Sequence, residues 1–312
     1  SAPTTHSLYP MTTLKVAAVQ IAPVYLNARA TWEKLQTCLR EATSSGAELI
    51  TWGESLIPGY PNWTSISTGD DQKAVYLRYW QEALRSDGQI VAEMKEFARE
   101  HGVMLMGGIA EQHSGSTFCT LLTIGSDGEL WGRHRKLKPT WRERLVWADG
   151  DAEGLRTYPT KIGRVGGLSC WENWIPLARA ALHQQEEVLH VATWPGKLAL
   201  TQDITRFMAL EGRSWIISVS GMLRASDWTH LSDDEFPLKK AMSKQEVWQD
   251  GGSMIVNPAG EIIAGPLVGE EGILYADIDP RIVVEERQTL DYSGHYARND
   301  VLRLDVINSR RS

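Results

Sequence analysis

Cysteine is scarce in this chain of 312 residues: there are three, at positions 38, 119 and 170. An odd number at wide separation argues against a disulfide framework and for a reducing compartment, so the cytoplasm is the expected location. No apolar stretch approaches the ~20 residues of a spanning helix, and the opening Ser1-Ala2-Pro3-Thr4-Thr5-His6 lacks the layout of a signal peptide. The eight histidines show no His-x-x-x-His spacing, Cys-x-x-Cys does not occur, and neither a phosphate-binding Gly-x-x-x-x-Gly-Lys-Ser/Thr run nor the dinucleotide glycine pattern is present. No metal and no organic cofactor is therefore expected. With 32 basic and 39 acidic side chains the net charge is −7, which argues against nucleic acid or an anionic membrane as partner. Proline, glycine and serine are dispersed and no linker divides the chain. The expected organisation is a disordered extension over 1–10 followed by a single domain over 11–312.

What is present alternates between two periodicities. Leu14 to Ile21 reads as a buried strand, Ala28 to Ala42 as an amphipathic helix carrying Trp32, Leu35, Cys38 and Leu39, and Ala47 to Trp52 as a second strand. Val91, Met94, Phe97 and Ala98 mark another helix, ended by Gly102, and Val103 to Ala110 returns to strand. Two hairpins echo each other, Leu122 to Gly132 around Ser126-Asp127-Gly128 and Met254 to Gly265 around Pro258-Ala259-Gly260. The class is α/β. Periodicity alone does not separate a sheet-on-sheet core from an open doubly wound sheet.

The residue that stands out is Cys170. It follows the apolar run Arg164-Val165-Gly166-Gly167-Leu168-Ser169 and opens Cys170-Trp171-Glu172-Asn173-Trp174-Ile175-Pro176, so a strand delivers a thiol where the chain turns toward a helix near Pro176. Such an elbow exposes a nucleophile beside unpaired backbone N–H groups. Alone, a cysteine is more often a packing residue; Cys38 and Cys119 are read as structural. Two further segments change the balance. Ala47-Glu48-Leu49-Ile50-Thr51-Trp52 ends in Gly53-Glu54-Ser55, and a carboxylate at the end of a buried strand has a raised pKa that suits it to accept a thiol proton. The other is Arg133-His134-Arg135-Lys136-Leu137-Lys138-Pro139-Thr140, with Glu143 three residues on. Alternation puts Lys136 and Lys138 on one face of a strand and does not choose between them. His134 reads as a strand residue rather than a base.

In this order the three segments resemble the nitrilase superfamily of carbon–nitrogen hydrolases from about Leu14 to about Leu304. The resemblance implies a four-layer α-β-β-α sandwich. It makes Cys170 the nucleophile, Glu54 the general base, Lys136 the stabiliser of charge, and Glu143 the residue that orients Lys136. Cys170-Trp171-Glu172 looks like the nitrilase branch itself. Gly53 stands where the family often has proline and Asn173 where many members have histidine. Trp171, Trp174, Trp194 and Tyr60 are candidates for substrate contact. The resemblance further implies a homodimer, with spiral or filament assemblies open.

The chemistry fits these residue types. A nitrile carbon is a weak electrophile and needs a strong nucleophile, a proton donor for nitrogen and stabilisation of negative charge. Thiolate, carboxylate and ammonium supply all three. The expected reaction converts an organic nitrile to a carboxylic acid and ammonia through a thioimidate and a thioester. Alternatives are an amidase or carbamoylase, a cyanide-hydrolysing enzyme, and a non-catalytic assembly protein; four retained ionisable groups argue against the last. A papain-like protease lacks its local Cys-Gly-Ser-Cys signature.

Overall fold

The structure, a computed structural model, describes residues 12–66 and 69–307. The extension expected over 1–10 lies outside the described residues. In chain order the first half supplies β1 (Leu14–Gln20), α1 (Ala28–Ser44), β2 (Leu49–Ile57), α2 (Asp70–Glu82), α3 (Gln89–His101), β3 (Met104–His113), β4 (Ser116–Ile124) and β5 (Leu130–Arg135). The second half supplies β6 (Tyr158–Thr160), β7 (Gly163–Ser169), α4 (Pro176–His183), β8 (Glu187–Trp194), α5 (Leu198–Gly212), β9 (Trp215–Ser220), β10 (Met222–Arg224), α6 (Lys239–Met242), β11 (Val247–Val256), β12 (Ile262–Val268), β13 (Gly272–Ile278) and α7 (Pro280–Arg287).

Two mixed sheets result. The first runs β13-β1-β2-β3-β4-β5, with β1, β2 and β3 parallel. The second runs β10-β11-β9-β8-β7-β6, with β7, β8 and β9 parallel and β12 paired to β11. The two hairpins read from the sequence fall one in each sheet, as β4–β5 and β11–β12.

The side-chain period of two explains the layering. Val16, Ala18, Leu49, Met104, Met106 and Leu121 of the first sheet meet Val165, Leu189, Val191, Ile217 and Val219 of the second in one core. The alternate residues Ala17, Val19, Ile50, Trp52 and Leu105 face outward against Trp32, Leu35 and Leu39 of α1 and Val91, Met94 and Phe97 of α3. On the other outer face, Ile204 and Met208 of α5 cover Ala192, Ile216 and Met254, and Ala178, Ala181 and Leu182 of α4 cover Leu168. Both faces of the central strands are thus buried while β12 is largely exposed, and the order of layers is helix, sheet, sheet, helix. Capping fixes the helix ends: Asn27 accepts from the Ala30 N–H to start α1, and Gly102, in the left-handed region, stops α3. Among the described residues no helix is long and apolar enough to cross a membrane.

Two boundaries differ from the sequence reading in ways that bear on the site. β2 runs on to Ile57 and so carries Glu54 within the strand. β5 stops at Arg135, so alternation does not extend to the lysines. Lys136 is 1% exposed, whereas Lys138 faces solvent and pairs with Asp149.

Candidate active site

Cys170 sits directly beyond the carboxyl end of β7, at φ +54°, a left-handed conformation rare for a residue with a side chain. Such a backbone costs on the order of 1–3 kcal/mol and persists only where its surroundings hold it. Here several bonds do so. The Asn173 amide donates to the Cys170 carbonyl at 2.8 Å and to the Leu168 carbonyl at 3.3 Å. Its oxygen meets His190 Nε2 at 2.7 Å, and His190 Nδ1 lies 2.8 Å from Glu187. The turn Cys170–Trp174 is closed by Glu172, whose carboxylate accepts from the Ser169 N–H at 3.0 Å. Ser55 and Trp141, next to Glu54 and near Glu143 in sequence, also have positive φ (44° and 47°). Three of the strained residues therefore flank the same few side chains.

Glu54 comes from β2, where the pairing with β3 is irregular between Trp52 and Ile57. A break of this kind re-aims a side chain. Glu54 Oε1 accepts from Lys136 Nζ at 2.9 Å and from Cys119 Sγ at 3.1 Å, while Oε2 is buried with no partner among the described residues. Lys136 Nζ also donates to Glu143 Oε2, at 2.7 Å. Glu143 is itself held by the Thr140 N–H at 2.6 Å and the Tyr60 hydroxyl at 2.7 Å. The Lys136 backbone N–H donates to the Cys119 carbonyl. A carboxylate oxygen of Glu54, one of Glu143 and the Cys170 sulfur all lie within 4.8 Å of one another. That donor set could reach a metal ion, but a divalent cation would compete with the ammonium that both carboxylates already hold.

Burial raises the Glu54 carboxyl to about 7; Lys136 opposes the shift and Glu143 adds to it. Burial also opposes charge on Lys136, yet Cys170, Glu54 and Glu143 around it raise its pKa well above the usual value. The Cys170 thiol is pushed up by burial and by the Glu54 charge. The resting arrangement is thus a protonated thiol beside an ammonium shared by two carboxyl groups, with one carboxyl oxygen free.

A second carboxylate ties the parts together. Glu172 accepts from the Leu137 N–H at 2.6 Å and meets His134 Nε2 at 3.0 Å. The segment that carries Lys136 is thereby fastened to the turn that carries Cys170. Burial opposes charge on both groups, but the Glu172 carboxylate outweighs it and raises His134, while His134 and two backbone N–H groups outweigh it and lower Glu172. His134 lies in a strand, as expected, but its pairing with Glu172 is not marked in the sequence. Cys119, expected to be structural, places its thiol on Glu54. No sequence signal marks either contact, since the partners are 38 and 65 residues apart.

Cys170 opens on a cavity of about 500 Å³. Glu143, Tyr60, Trp171 and Trp194 line it, together with Trp141, Trp248 and Leu200; Glu54 and Lys136 lie outside its wall. Trp194 serves twice, because it also packs against α5 and donates to Ser218. Trp174 is not in the wall and is half exposed, which removes it from the candidates for substrate contact.

The profile of the carbon-nitrogen hydrolase family matches residues 15–288. An aliphatic nitrilase of Rhodococcus rhodochrous is 34% identical over 315 residues, covering 96% of this chain and 84% of that protein. Nitrilase 1 of Arabidopsis thaliana is 33% identical over 310 residues, covering 96% and 89%. Among solved structures, the NitFhit protein of C. elegans superposes with a TM-score of 0.72 at 17% identity, over 97% of this chain and 69% of that one. A carbon-nitrogen hydrolase of Helicobacter pylori gives 0.71 at 18% identity, over 94% and 99%. These likenesses bear out the four-layer fold.

Proposed function

The chain belongs to the carbon–nitrogen hydrolase family, and from that premise we propose that it is a nitrilase, converting an organic nitrile to a carboxylic acid and ammonia with Cys170 as nucleophile. The observation that carries the reading is the unpartnered Glu54 Oε2 in a cluster that holds the Cys170 sulfur close to two carboxylates and their shared ammonium. A thiol raised by burial needs a base at hand, and a carboxyl near 7 serves as base and acid in turn.

In this mechanism Glu54 takes the thiol proton as sulfur attacks the nitrile carbon, and the nitrile nitrogen takes up a proton to give a thioimidate on Cys170. Lys136 and the Trp171 N–H stabilise the negative charge that develops. Water adds to the thioimidate carbon and the tetrahedral adduct expels ammonia, leaving a thioester. A second water, deprotonated by Glu54, releases the acid and returns the proton to sulfur. Glu143 keeps Lys136 in place through the 2.7 Å bond and is itself fixed by Tyr60 and Thr140. Tyr60, Trp171 and Trp194 bound the substrate.

A homodimer belongs to the same reading. Phe207 and Leu210, three residues apart on α5, present exposed apolar side chains, with the Arg179 guanidinium lying over the Phe207 ring, and would contribute to such a contact. The three cysteines, all free, support a cytoplasmic location.

Ammonia release from matched nitriles and amides, by the wild type and by Cys170→Ala, tests the function. Release from nitriles that falls at least about 10³-fold in the variant is expected. Release from amides alone moves the chain to an amidase activity, and undiminished activity in the variant removes Cys170 from the reaction.

A further inference from the structure

We propose that the cavity selects nitriles with an aromatic body bearing a neutral polar substituent, and that the Gln249 amide binds that substituent; this rests on the nitrilase reading above. A cavity of about 500 Å³ is far larger than cyanide or a short aliphatic nitrile would fill. Its wall contains four indoles, those of Trp141, Trp171, Trp194 and Trp248. Trp141 and Trp171 are 72% and 51% exposed, a large apolar surface that a flat apolar ligand would cover.

Many polar side chains of the wall are committed, and the indole N–H groups of Trp141 and Trp171, which are not, belong to exposed side chains. Trp194 Nε1 donates to Ser218 and Trp248 Nε1 to the Met242 carbonyl. The hydroxyls of Thr64, Ser65 and Thr201 donate to backbone carbonyls, and Tyr60 donates to Glu143. Gln249 differs. It is held on β11 opposite Leu223, is only 6% exposed, lines the cavity, and its side-chain amide has no hydrogen-bond partner among the described residues. A buried amide left open in an apolar wall is a ready partner for a hydroxyl, carbonyl or carboxamide on a bound molecule, because it can both donate and accept. Asn62 also lines the cavity and its amide nitrogen likewise has no partner among the described residues, but that atom is sealed from solvent and so from a bound molecule. The Lys197 side chain at the rim is exposed, so charge there is screened by water and a buried neutral contact carries more of the selection.

The test is a matrix of kcat/KM values from ammonia release. The substrates are propionitrile, phenylacetonitrile, its ring-hydroxylated and carboxamide-bearing isomers, and its ring carboxylates; the enzymes are wild type, Gln249→Leu and the more flexible Gln249→Met. The wild type is expected to favour phenylacetonitrile over propionitrile, and at least one neutral polar isomer over phenylacetonitrile, by about tenfold or more each. Both variants are expected to lose about tenfold more on that polar isomer than on phenylacetonitrile. A preference for propionitrile, a preference for the carboxylates, or a polar-to-bare ratio that both variants leave unmoved overturns the inference while the nitrilase reading stands. No ammonia from any nitrile overturns the nitrilase reading itself.

Discussion

Cys119 shows how one side chain can set the chemistry of another. Its thiol occupies Glu54 Oε1 at 3.1 Å alongside Lys136, which leaves Oε2 as the oxygen open to Cys170. The thiol contact lowers the Glu54 carboxyl, against the larger upward push of burial. For Glu54 to accept a proton it must be ionised, so kcat/KM is expected to rise as pH increases through about 7 and to be low below it. Removing the donor in Cys119→Ala moves that limb to higher pH. A thiol is a weak donor and this contact is the smallest influence on Glu54, so the shift is on the order of half a pH unit or less. Cys119→Ser, which keeps a donor, should restore the wild-type limb. A pH–rate profile identical in wild type and Cys119→Ala would show that the contact does not tune Glu54.

At the scale of elements, the site depends on how closely β2 approaches the second sheet. A Cβ at Gly53 would lie 2.4 Å from the Gly221 nitrogen and 2.8 Å from the Ser220 carbonyl carbon, so backbone meets backbone with no flexible side chain to yield. The residue that departs from the family pattern therefore occupies a place with no room for a side chain. Gly53→Ala is expected to destabilise the protein by on the order of 2 kcal/mol through overpacking, and to lower kcat because Glu54 is the next residue on the strand. Thermal melting together with initial rates checks this; a variant with unchanged melting and kcat would show that the strand yields freely. The other departure, Asn173, is explained by the turn, where its amide holds the Cys170 carbonyl and its oxygen is bridged by His190 to Glu187.

The elements themselves were legible where hydrophobic period and end signals agreed, as in α1 with its Asn27 cap and α3 with its Gly102 stop. The candidate site was legible as residue types in order, through Cys170, Glu54 and the Lys136 segment. Four things were not legible, the Cys119–Glu54 contact first among them. Alternation failed at Lys136 because β5 ends one residue earlier. The Glu172–His134 fastening joins the turn after β7 to β5 of the other sheet. The open Gln249 amide belongs to a cavity whose wall is drawn from five separate stretches of chain, a proximity that only the packed fold creates.

At the scale of the whole molecule, a buried histidine that stays neutral ties stability to pH. His183 at the end of α4 is lowered from 6.5 to about 4 by burial, partly offset by the Glu187 charge. Below pH 6.5 the unfolded chain binds a proton that the folded chain refuses until about 4. This contribution to stability is therefore full above 6.5 and is lost as pH falls through about 4. The displacement corresponds to roughly 3 kcal/mol. His183→Gln, neutral at every pH, should narrow the gap between the melting temperatures at pH 7 and pH 5; an equal gap in both proteins would show that His183 does not govern acid sensitivity.

Bonding of the Cys170 sulfur to the nitrile carbon is read by intact-protein mass spectrometry of enzyme quenched with acid during turnover of a nitrile. A wild-type species heavier by the thioimidate or acyl group is expected, mapped by proteolysis to the peptide containing Cys170 and missing in Cys170→Ala. Sustained ammonia release by Cys170→Ala at the wild-type rate, or an adduct mapped to Cys119 or Cys38 instead, would contradict it.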